Sequence, residues 1–126
     1  MATTDTIVRG DSRTYYIDVS INGVPLDVTG YTAWFTAKYA PTDADTAAAV
    51  RKGMSSSLTG VTIIADPATG INSRIQVQLG PADTASIPAK ATTLHYDVQI
   101  KTPSGDIYTV TRGDLQVLPD ITNTTT

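Results

Sequence analysis

Apolar and polar positions alternate with a period of two through most of the chain, the spacing that a strand with one buried face requires. In residues 13–21, Tyr15, Ile17, Val19 and Ile21 fall on one face and Tyr16, Asp18 and Ser20 on the other. Residues 31–39 set Ala33, Phe35 and Ala37 against Thr32, Trp34, Thr36 and Lys38, leaving open whether Phe35 or Trp34 faces the core. Trp34 is the only tryptophan, and a sandwich core usually takes up such a residue. Further strands are expected at 61–65, 73–79 and 94–101. In the last of these Leu94, Tyr96, Val98 and Ile100 alternate with His95, Asp97, Gln99 and Lys101. Two closing runs, 107–111 and 115–118, complete the pattern.

Turn chemistry separates these runs. Asn22-Gly23 tolerates positive φ and predicts a tight hairpin, and Asp27-Val28-Thr29-Gly30 predicts a second reversal in which the Asp27 carboxylate accepts backbone N–H bonds. "DPATG" and "TPSGD" mark two more. The stretch "GPADTASIPAK" predicts a single helical turn with Ile87 pointing inward. Residues 41–53 carry the one longer helical signal: Pro41 and two aspartates early, an alanine run, then Arg51, Lys52 and Gly53. They predict a turn or two of helix or an irregular loop. About seven short strands with turns every eight to twelve residues predict an all-β fold, an immunoglobulin-like two-sheet antiparallel sandwich with one short helix or loop excursion. The expected organisation is one domain over 1–121 and a polar, Thr-rich tail over 122–126 that serves as a flexible or assembly arm.

Composition agrees. A chain of 126 residues holds about one domain. Its acidic residues are twelve Asp and no Glu, beside 22 Thr, which favours turns and strands over helix. The net charge of -3, with nine Lys and Arg scattered singly, offers no basic stripe for nucleic acid. No stretch approaches the about 20 apolar residues of a membrane helix, so no membrane is expected and synthesis in the cytoplasm is. Without cysteine, neither disulfides nor a thiolate metal site is available.

Few residues carry candidate chemistry. His95, the only histidine, would have to serve any Ser-His-Asp triad, yet its mid-strand position opposite Leu94 and Tyr96 reads as a surface or interface histidine. Asp43 and Asp45 lack the longer ligand series of a calcium loop and read as helix N-terminal charges. No cofactor, metal or catalytic residue is expected. Arg-Gly-Asp, the tripeptide of integrin ligands, occurs at 9–11 and 112–114, and both copies read as shaping the terminal strands, with Gly supplying an unusual backbone angle and Asp a turn cap.

The phrases "VRGDSRTYYIDV", "NGVPLDVTGYTAWFTAK", "DADTAAAVRK", "LGPADTASIP", "HYDVQIKTPSGDIYTV" and "GDLQVLPDIT", in this order, cover residues 7–122. Together with a Gly60-led strand, they resemble the immunoglobulin-like N-terminal domain of siphophage baseplate upper proteins and stand-alone phage virion proteins like it. The resemblance implies a non-enzymatic virion structural protein, in which this module holds neighbouring tail, baseplate or capsid proteins. In the baseplate proteins long fibre-forming segments follow the domain; this chain stops after it, which suits an adaptor or a capsid decoration (cement) protein. A homo-oligomer in a symmetric assembly is expected, with contacts through Tyr16, Tyr39, Tyr108, Asn123 and Thr124, the 41–57 excursion, and strand addition at exposed edges. A host-surface or carbohydrate-binding sandwich is the alternative, marked by a groove of coplanar aromatics. A small hydrolase is the third reading, marked by His95 in a cleft beside a hydroxyl and a carboxylate.

Overall fold

A computed structural model describes residues 2–119 apart from Ser56 and Ala89. The expected tail at 122–126, with Asn123 and Thr124, lies outside the described residues. In chain order the strands are β1 (Ala2–Val8), β2 (Arg13–Asp18), β3 (Ser20–Ile21), β4 (Val24–Pro25) and β5 (Thr32–Lys38). They continue as β6 (Val50–Lys52), β7 (Val61–Ile64), β8 (Arg74–Leu79), β9 (Thr92–Lys101) and β10 (Ile107–Leu118). One helical turn, α1 (Pro81–Thr84), precedes β9. The fold is the two-sheet β-sandwich that the alternation predicts: a five-stranded sheet ordered β1-β10-β9-β5-β6 and a three-stranded sheet ordered β2-β8-β7. Pairing is antiparallel except between β1 and β10, which run parallel.

The core lies between the sheets. Ala33, Phe35 and Ala37 of β5, Leu94, Val98 and Ile100 of β9, and Leu115 and Val117 of β10 face Ile75, Val77 and Leu79 of β8. Each fully buried aliphatic side chain contributes about 1.5–3 kcal/mol relative to exposure. Ile87, in the bend after α1, is 1% exposed and seals one end as expected. Asn22 (φ 52) and Gly23 (φ 79) make the β3–β4 hairpin.

Two expectations change, one question left open is settled, and one strand is added. The alanine run forms only a three-residue 3₁₀ turn, Asp45–Ala47, and Arg51 and Lys52 belong to β6. The reason is tertiary: Val50 pairs with Ala37 and is buried, a gain that helix formation in so short an alanine run does not match. The closing runs are one continuous strand, β10, with a bulge between Thr109 and Thr111 that re-phases its faces. Phe35 rather than Trp34 enters the core, because Phe35 shares its face with Ala33 and Ala37. Trp34 is half-buried on the outer face, where its ring lies against Gly53. The additional strand β1, too polar to show alternation, is recruited by β10.

One long side of the sandwich is closed by a corner. Gly53 and Gly60 form a parallel bridge; Gly53 N–H donates to the Thr59 carbonyl (3.2 Å), and Val61 N–H donates to the Gly53 carbonyl (3.0 Å). Gly60 adopts φ 98 while the Lys52 side chain crosses it to reach Asp83 (3.1 Å). Asp83 also accepts the Gly80 N–H at the start of α1 (2.6 Å), so one carboxylate joins β6 to the helical turn. Gly60→Ala therefore combines backbone strain with displacement of Lys52, and we expect a loss of about 1–3 kcal/mol in urea unfolding. Gly70→Ala, at φ 72 with open space around it, should lose only about 1 kcal/mol. Equal losses at the two positions would show that the Lys52 crossing contributes nothing.

Candidate functional site

Strand β9 has neighbours on both sides, so its outward residues form rows with theirs. His95 stands between Lys38 of β5 and Asp114 of β10; Asp97 stands between Thr36 and Arg112; Gln99 stands between Trp34 and Thr109. These rows floor a hollow of about 420 Å³, walled on the β5 side by Pro41 and Asp45. The wall is held by Lys38, whose ammonium is 2.9 Å from the Asp45 carboxylate and donates to the Asp43 carbonyl (2.8 Å). Hydrogen bonding and charge from Lys38 hold Asp45 below the usual carboxylate range. Asp43 instead accepts the Ala40 N–H (3.1 Å), so the two aspartates brace a loop rather than cap a longer helix.

His95 Nδ1 lies 2.9 Å from Asp114 Oδ1. A carboxylate oxygen only accepts, so the proton sits on Nδ1 and, in the neutral ring, Nε2 faces out as an acceptor. Both side chains are nearly half exposed. Two members of a triad are thus adjacent, but among the described residues no hydroxyl hydrogen-bonds the ring. Asp97 differs. Partial burial pushes its carboxyl up, Asp45 adds to that, and Lys38 and Arg112 oppose it. Among the described residues its side chain accepts one hydrogen bond, a long contact from Gln99 Nε2 (3.5 Å). Among the described residues neither Asp97 nor Arg112 forms an ion pair.

A second hollow, about 410 Å³, opens where the β1 and β2 edges leave the sheets apart. Its wall is a stack of Tyr15, Phe35 and Tyr96, with ring centroids 6.3 and 5.6 Å apart. Burial, then the Asp5 carboxylate, push the Tyr15 phenol far above its usual value. The hydroxyl is nevertheless outside hydrogen-bonding geometry to any described acceptor, because Asp5 turns to Arg13 (3.3 Å).

The tyrosines expected at interfaces are exposed but dispersed. Tyr16 (56%) lies on the outer face of the three-stranded sheet under the Arg74 guanidinium. Tyr39 (43%) follows β5, and Tyr108 (56%) lies at the opposite end of the five-stranded sheet, in register with Ile100. They form no common platform, and Trp34 turns to Gly53.

The two Arg-Gly-Asp copies diverge. Gly10 (φ 86) makes the β1–β2 turn as expected, and its N–H donates to Thr84 Oγ1 (2.8 Å). Arg9 donates to the carbonyls of Ile87 and Ala85 (both 2.7 Å), fastening that turn to the end of α1. The second copy makes no turn: Arg112-Gly113-Asp114 runs through the middle of β10, with Gly113 buried opposite Tyr96. The Arg112 and Asp114 roles were hidden from the sequence because the β10 register depends on a bulge; the outward set His95, Asp97 and Gln99 was legible in the alternation.

Compared with known proteins, the chain matches no protein-family model and no curated sequence.

Two outcomes follow from this geometry. Because the raised Asp97 carboxyl favours its protonated form in the fold, its contribution to stability is complete below the ordinary carboxylate value and is lost as pH rises through the raised one. Asp97→Asn should therefore raise the melting temperature at pH 7, and the gain should vanish below about pH 3.5; a pH-independent difference would contradict the desolvation. Arg9→Lys, which cannot serve both carbonyls with a planar fork, should lower stability by about 1–2 kcal/mol in denaturant titration.

Proposed function

We propose that this protein is a non-enzymatic structural module of a bacteriophage particle, which binds neighbouring virion proteins as a tail or baseplate adaptor or as a capsid decoration protein. The reading rests on the order of strand and turn phrases described above and on one structural observation, the gathering of exposed apolar residues at one end of the sandwich. The β3–β4 hairpin carries Ile21 and Val24, exposed by 57% and 65%. It leaves β2 beside Ser73, since Val19 N–H donates to the Ser73 carbonyl and Val28 N–H to that of Asn72. Asn72 in turn reaches Thr29, and Pro103 of the β9–β10 hairpin lies over Gly30. Ile107 and Tyr108 open β10 at this same end, exposed by 58% and 56%.

Large apolar side chains grouped in this way mark contact surfaces. Binding through an end and through sheet edges suits a module repeated in a lattice, where many weak contacts act together. The carbohydrate-binding alternative has less support, because the exposed tyrosines lie on different sheets and at opposite ends of the five-stranded sheet.

An electron-microscopy reconstruction of virions from the source phage tests the proposal. Copies over the shell would make it a decoration protein, and a ring at baseplate or neck a tail adaptor. A particle complete without this chain would overturn the reading.

A further inference from the structure

The outward residues of β9 and β10 have a property that neither strand shows alone. Along β9 they read Gln99, Asp97, His95; along β10, in the same rows, they read Thr109, Arg112, Asp114. Each row therefore sets complementary groups side by side: amide with hydroxyl, carboxylate with guanidinium, imidazole with carboxylate. A two-fold axis lying in the plane of contact, parallel to the strands and midway between β9 and β10, exchanges the two columns. It places Asp97 of one copy over Arg112 of the other, and His95 over Asp114, twice each. A two-fold interface must be self-complementary in this sense, and the rotation leaves the strands of the two copies aligned, one of the two ways in which sheet faces stack.

We infer that the outer β9–β10 face is a two-fold self-association surface whose occupant is a second copy of this chain, held by reciprocal Asp97–Arg112 contacts. The charge pattern argues for a second copy over an unrelated partner. Within one copy His95 and Asp114 already bond, and Lys38 is engaged by Asp45, whereas Asp97 and Arg112, though directly paired across the strands, make no ion pair with any described group. Within one copy Asp97 and Arg112 attract each other across the strands without reaching ion-pair distance, and the axis brings each of them a second opposite charge. The face is polar and wet, so the pairing is weak and salt-sensitive. The inference stands apart from the virion proposal: the isolated protein tests it, and failure here leaves that proposal untouched.

The test is sedimentation velocity of the purified chain across concentration and salt, with charge reversals. Wild type should self-associate, less so as salt rises. Asp97→Arg and Arg112→Asp should each weaken association by roughly tenfold or more, since like charges then oppose across the axis. An equimolar mixture of the two variants should recover it, because each cation then meets the other chain's anion. Circular dichroism melts establish that the variants fold; should a reversal unfold the chain, Asp97→Asn and Arg112→Gln give the same reading as a loss of association. A wild type that stays monomeric at millimolar concentration would overturn the inference. So would association that the variants leave unchanged, or single reversals that the mixture does not rescue.

Discussion

The two-faced alternation of β9 is the constraint on which the rest of this structure depends. This ten-residue strand has a partner on each side, so its register fixes both neighbours at once. Leu94 and Val98 are completely buried and Ile100 nearly so; a slip of one residue would carry all three to solvent and draw His95, Asp97 and Gln99 into the core. Burial of those three aliphatic side chains thus locks the pairing, and the locked pairing aligns the polar rows outside. The hollow on the outer face is in this sense the reverse side of the core.

The two long sides of the sandwich are treated differently. At β6 and β7 the sheets meet through Gly53 and Gly60, residues without side chains where the backbones must approach, and Lys52 with Asp83 ties the corner to α1. At β1 and β2 the sheets part over the stack of Tyr15, Phe35 and Tyr96. There the closure is left to the β1–β2 turn, where Arg9 satisfies two carbonyls beyond α1 that the chain bend would otherwise leave to water. One side is closed by backbone and the Lys52–Asp83 pair and the other only at the β1–β2 turn, through Arg9 and the Gly10 N–H, so strand edges and aromatic surface stay open there.

The molecule presents two kinds of surface suited to assembly. One end carries exposed aliphatic and aromatic residues on two hairpins, and the outer face carries an ordered polar array. Apolar contacts supply affinity without direction, whereas reciprocal charges supply register and orientation at little gain in affinity. The sandwich keeps the two apart by placing one on loops and the other on its most firmly held strands.

The β-sandwich class, the main strands, the Asn22-Gly23 hairpin, the inward Ile87 and the outward face of β9 were legible in the amino-acid order alone. These are local properties, set by period-two alternation and by turn residues whose backbone angles few others adopt. Only the tertiary structure decided that the alanine run yields to β6, that polar β1 joins the sheet, that Phe35 displaces Trp34 from the core, and that Arg112-Gly113-Asp114 is strand while Arg9-Gly10-Asp11 is turn. In each case the deciding energy comes from a partner distant in the chain: Ala37 for Val50, β10 for β1, the Tyr15 and Tyr96 rings for Phe35, and Tyr96 for Gly113. The pairing of Asp97 with Arg112 belongs to the same group, because a bulge of one residue in β10 chose it and no local pattern records that bulge.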